Sequence, residues 1–183
     1  MAAIIKVGKN FGGVNYFTRM AKNPSYLAVV VNAISTLPLE GTSENSNILP
    51  FKIENKITHN NVTVYKRIIE DYAYYSILIN DTYETISEIK PYCRDKIMRV
   101  VNLKYLDIKN YLIKENKKSS EIQIIRENSD DIIGDVLTKL KELLYESTNL
   151  DDEISIEDLE MALEIIVGDA FINCKILENP MKN

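Results

Sequence analysis

The sequence predicts a mainly α-helical domain, a bundle of four to five helices with a short extended N-terminal arm. Three observations predict it: apolar residues recur at three- and four-residue spacing in long stretches beyond residue 57, helix-starting side chains stand ahead of several of them, and residues 1–56 lack that period. At 183 residues and 45% hydrophobic content, the chain is long enough to enclose a core of ordinary size.

Residues 1–56 read as an N-terminal arm and linker, and residues 57–183 as the helical domain. Ile4-Ile5-Lys6-Val7 and the β-branched run from Leu27 to Ile34 predict two short extended pieces. Between Leu37 and Asn55 stand Pro38, Gly41, Ser43, Asn45, Asn47 and Pro50, whose backbone and side chains compete with helix and strand, so a loop is expected there. Asn60 or Asn61 then caps a helix carrying Val62, Tyr65, Ile69, Tyr72 and Ile79, continued through Tyr83 and Ile86 to Pro91. The next runs from Pro91 through Ile97, Val101, Tyr105 and Ile108 and dissolves at Lys114–Ser120. Ser129-Asp130-Asp131 puts a cap and two anions at the start of a helix through Ile132, Val136, Leu140 and Leu144, where the dipole favours them. Ser155 with Asp158 resembles a capping box opening the last helix, which extends to Leu177. Its second half is apolar on nearly every side, so it is expected to be the central helix and a surface for self-association, and Gly168 within it implies close approach of a neighbouring helix.

Composition narrows the chemistry. One histidine, His59, leaves no two-His metal site and only a single candidate for a histidine-dependent triad. Cys93 and Cys174 are expected as free thiols. The cluster Gly8-Lys9-Asn10-Phe11-Gly12-Gly13 lacks the spacing of a phosphate loop, and Asp130, Asp131 and Asp135 are accounted for by the helix start. No catalytic residue, cofactor or metal is therefore expected. No apolar run reaches the ~18–20 residues of a bilayer span, and Met1-Ala-Ala-Ile-Ile-Lys6 lacks the features of a signal peptide, so a cytoplasmic protein is expected.

The remaining candidates are surfaces. Tyr72, Tyr74 and Tyr75 lie too close in sequence for all three to face one core, so at least one is expected to meet solvent or a partner. Asp169 lies among apolar residues and requires a partner, either Lys175 or a base from another helix; with Phe171 it marks the expected self-association seam. Net charge is -5, yet Lys90 to Lys118 is rich in bases while Glu146 to Glu164 holds acids and no base. Lys96, Arg99, Lys104 and Lys109 are accordingly candidates for contact with a nucleic-acid backbone, the alternative being complementarity within the fold or across a dimer.

Two stretches carry a family resemblance. Pro50-Phe51-Lys52-Ile53-Glu54-Asn55-Lys56-Ile57-Thr58-His59-Asn60-Asn61-Val62, ahead of the tyrosine-rich helix, and Val167-Gly168-Asp169-Ala170-Phe171-Ile172-Asn173-Cys174-Lys175-Ile176-Leu177-Glu178-Asn179-Pro180 resemble the C-terminal domain of ABC-three-component conflict systems. Lys6 to Asn15 resembles a segment that often precedes it. The resemblance implies an antiviral-defence assembly comparable to the Lamassu type, in which an SMC-like ATPase, a small middle component and an effector are encoded together. It implies an adaptor that joins the effector to the other components. Residues 1–49 are too short and too poor in His, Asp and Glu to be an effector domain of their own.

Overall fold

A computed structural model describes residues 9–10, 13–14, 23–37 and 51–180. Lys9–Asn10 (β1) and Gly13–Val14 (β2) pair antiparallel, and seven helices follow among the described residues: α1 Tyr26–Ser35, α2 Phe51–Asn60, α3 Lys66–Ile89, α4 Cys93–Glu115, α5 Glu121–Glu127, α6 Ser129–Tyr145 and α7 Ile156–Ile172. The class is α, as expected, with more helices than expected. The extended piece expected at Ile4–Val7 and most of the Leu37–Asn55 loop lie outside the described residues.

The run read as the second extended piece is α1. Ser25 accepts the Leu27 N–H at 3.1 Å, and Leu27, Ala28, Val30, Val31 and Ile34 are all buried. The strand preference of β-branched residues is worth less than ~1 kcal/mol per position, whereas burying each of these side chains contributes ~1.5–3 kcal/mol, so packing decides. α1 packs on α3, α4 and α7 within the main core.

α2 occupies the end of the expected loop, so residue 56 falls inside a helix. Asn60 and Asn61 finish α2 and do not open α3: Asn61 takes φ 56°, its N–H reaches Thr58 O at 3.1 Å, and the Val62 N–H reaches Ile57 O at 3.1 Å. The start of α3 is held from elsewhere. The Asp130 carboxylate accepts the Thr63, Val64 and Tyr65 N–H groups at 3.1–3.2 Å and the Thr63 hydroxyl at 2.5 Å. Burial opposes that charge, but the Thr63 hydroxyl and the three N–H groups outweigh it and hold the carboxyl below its ordinary range. Asp130 thus lies in the first turn of α6, as expected, and also anchors the start of α3, whereas the cap expected of Ser129 is absent: Ser129 is the first residue of α6 and its hydroxyl donates to Asn61 O.

α7 is central and rests on α3, α1, α6 and α4. Ser155 accepts the Asp158 N–H at 3.0 Å, the cap anticipated, and the Asp158 carboxylate answers by accepting the Ser155 hydroxyl at 2.7 Å in place of the backbone N–H of a capping box. The close approach expected at Gly168 is present: a Cβ there would lie 2.7 Å from Tyr72 Cβ. The helix stops earlier than expected. Cys174 turns left-handed at φ 54°, the Lys175 N–H closes onto Ala170 O at 2.8 Å, and Ile176 and Leu177 fold back into the core. Every residue from Ile165 to Phe171 is buried by its own chain, which removes the reason for expecting a self-association seam along α7.

Candidate functional site

Three of the five residues singled out for partner contact, Tyr72, Asp169 and Phe171, lie in the interior. Asp169 is fully buried; the Tyr72 hydroxyl donates to Oδ1 at 2.7 Å, Asn173 Nδ2 donates to it at 2.7 Å, and Arg94 from α4 grips the carboxylate with Nη2 at 2.6 Å and Nε at 3.2 Å. The partner is therefore a base from another helix, not Lys175. Arg94 also stands over the Tyr83 ring, 5.1 Å from its centroid. Burial disfavours the guanidinium charge, but the Asp169 carboxylate more than restores it, and burial together with Asp169 pushes the Tyr72 phenol upward. The network pins α3, α4 and α7 together. Tyr72, Asp169 and Phe171 are interior residues and offer a partner no surface in this monomer. Tyr75 is half-buried against the core, and the Tyr74 side chain lies outside what the structure describes.

One turn farther on, the two stretches that carried the resemblance close on each other. Lys56, 3% exposed, donates its ammonium to Phe171 O and to Ile176 O at 3.0 Å, and lies 4.3 Å from the Phe171 ring centroid. It satisfies carbonyls at the C-terminus of α7, where the helix dipole favours a cation. Burial pushes its pKa down to about 8 against the opposing pull of Cys174 and Glu178. Asn60 is buried beside it; its Nδ2 donates to Glu178 O at 2.8 Å and its Oδ1 accepts the Glu178 N–H at 2.9 Å. The Glu178 carboxylate accepts Tyr105 Oη at 3.0 Å and Lys109 Nζ at 2.9 Å. Lys56, Asn60, Arg94 and Glu178 were not among the candidate site residues read from sequence. Lys56 and Asn60 are polar residues in a segment of loop-like surroundings, and only the folded chain shows what they face.

α4 distributes its bases unevenly. Lys109 is bound to Glu121 at 2.5 Å and to Glu178 at 2.9 Å, and Lys96 donates to the Tyr26 hydroxyl at 2.7 Å. Lys104 is half-buried, leaving Arg99 as the exposed member of the expected four that makes no such contact among the described residues. The outward face of α4 also exposes apolar side chains among its charged ones. Arg99, Leu103 and Leu106 follow at helical spacing, with Leu103 51% and Leu106 37% exposed. Tyr92, one residue before the helix, is 73% exposed and left-handed at φ 62°. Among the described residues, no three His, Cys, Asp or Glu side chains group as metal ligands, and no helix is long and apolar enough to cross a membrane.

A family model described as C-terminal domain 10 of the ABC-three component (ABC-3C) systems matches residues 25–178, from the cap of α1 to the carboxylate that closes the C-terminal turn. The chain belongs to this family. Neither the curated proteins nor the solved structures give a match. The limits of the ABC-3C match coincide with the packing: Ser25 begins the first core helix, and Glu178 is the last residue tied to Asn60 and Lys109.

Proposed function

We propose that this ABC-3C domain is a non-catalytic adaptor that docks other components of its system, linking an effector to an SMC-like ATPase in a cytoplasmic defence complex of the Lamassu kind. The observation that carries this reading is the outward face of α4, where Tyr92, Leu103 and Leu106 are exposed beside Arg99. Exposed aromatic and aliphatic side chains around an arginine are the composition of a protein interface, where Tyr and Arg are enriched and Lys is depleted. The family match supports membership of a multi-component system.

The runner-up is a DNA-contacting regulatory subunit using Lys96, Arg99, Lys104 and Lys109. It is weakened by the engagement of Lys109 with two carboxylates and of Lys96 with Tyr26. Co-expression with the other encoded components tests the adaptor reading. The wild-type chain should co-purify with at least one of them, and Leu103→Asp with Leu106→Asp should lose it while melting as before. Retention by the double variant contradicts the ridge. A salt titration separates the two readings, since phosphate contacts lose affinity steeply with added salt and an apolar interface does not.

A further inference from the structure

We propose that the open cleft at the C-terminal end of α4 binds single-stranded nucleic acid through its phosphates. The cleft, about 450 Å³ in volume, is lined by Lys114, Glu115, Asn116, Lys117, Lys118 and Ser119. These are the last two residues of α4 and the turn that follows it, which is held by the Asn116 N–H on Leu112 O at 3.0 Å and the Ser119 N–H on Asn116 O at 3.2 Å. All six are exposed. Tyr111, 64% exposed, stands three residues before Lys114 and shares its helix face.

The basic stretch of α4 is engaged within the fold at Lys109, but not at its end. Among the described residues, Lys114, Lys117 and Lys118 form no ion pair. Glu121 is taken by Lys109 at 2.5 Å, which leaves Glu115 as the carboxylate in the cleft and Asp107 one turn behind Tyr111. Three ammonium groups against one lining carboxylate make the cleft positive, although the chain as a whole is acidic, and the ligand it fits is an anion. What surrounds the lysines selects the kind of anion. No apolar side chain lines the cleft, and Lys is depleted where proteins meet, so an acidic protein surface is a poor match. Successive lysines beside an exposed aromatic ring suit a strand with unpaired bases, because the ammonium groups follow its phosphates while the ring offers a face on which a base stacks. A duplex keeps its bases stacked inside and would leave Tyr111 unused. None of these residues belongs to the four bases considered above or to the Leu103 and Leu106 ridge.

The test is fluorescence anisotropy of the full chain with a labelled oligothymidylate of about twenty nucleotides, at salt from about 50 to about 200 mM. The wild type should bind and weaken as salt is added. The triple variant Lys114→Gln, Lys117→Gln, Lys118→Gln should weaken binding by at least about tenfold and flatten the slope of log affinity against log salt by about 2, since each phosphate contact on a single strand contributes ~0.7. Tyr111→Ala should weaken binding by at least about fivefold with the slope unchanged, and a duplex of the same length should bind less tightly than the strand. A wild type that does not bind, a triple variant as tight as wild type, or polyglutamate that competes as well as the strand overturns the proposal. So does a duplex bound as tightly as the strand, or a Tyr111→Ala variant that binds like wild type. Should the triple variant unfold by circular dichroism, Lys117→Gln with Lys118→Gln, both in the turn beyond α4, carries the same requirement of weakened binding.

Discussion

The C-terminal half of α7 and the outward face of α4 invert each other. In α7 a carboxylate is fully buried with a tyrosine, an arginine and an asparagine on its oxygens, while on α4 two leucines stand in water. A buried charge persists only when paired, so the first arrangement is explained by the fold. Exposed leucines lower the stability of nothing around them, so the second invites an explanation outside the monomer. The conspicuous residue of a sequence, such as Asp169 in an apolar helix, is thus not by itself a mark of function.

Breaking the α7 side should have the largest effect. Arg94→Met strands the Asp169 carboxylate at zero exposure and should cost ~3–5 kcal/mol in urea unfolding. Gly168→Ala follows, because its Cβ would sit 2.7 Å from Tyr72 Cβ, an atom fixed to the α3 backbone; overpacking of that kind should cost ~1–3 kcal/mol by the same measurement.

Lys56 gives a pH signature. Between about pH 8 and its ordinary value of 10.5, the folded chain has released a proton that the unfolded chain keeps, so the unfolded state binds more protons and this group makes stability rise with pH. Below about pH 8 the full cost of burying the charge, on the order of 3 kcal/mol, is present. Relative to Lys56→Met, the wild type should therefore gain stability as urea unfolding is stepped from neutrality to about pH 10; a difference that stays flat contradicts the buried amine.

The smallest effect should come from the ridge. Leu103→Asp with Leu106→Asp should leave unfolding within ~0.5 kcal/mol per site, since neither side chain is in the core. A loss of several kcal/mol would make the ridge part of the fold and remove the contrast.

What the sequence disclosed follows the same division. The Ser155 cap, the close approach at Gly168 and the need of Asp169 for a partner were legible, because each is a local rule or a burial that must be compensated, while the choice of Arg94 over Lys175 was not. α1 was not, because its β-branched run has strand propensity and only the surrounding helices make it a helix. α2 was hidden by the Pro- and Asn-rich segment before it, and α5, seven residues long, is too short to show a period. Lys56 and Asn60 were illegible as core residues because their partners lie 115 residues or more away in sequence. The basic stretch of α4 was visible as charge, but which of its members remain in solvent depends on Glu121, Glu178 and Tyr26.

On the proposed function, α4 and not α7 meets the partner. Hydroxyl-radical footprinting of the free chain and of its co-purified complex tests it most directly. Tyr92, Leu103 and Leu106 should be labelled in the free chain and protected in the complex, with Tyr72 and Phe171 unlabelled in both. Ridge labelling that persists unchanged in the complex, or labelling of Phe171 in the free chain, would contradict the account.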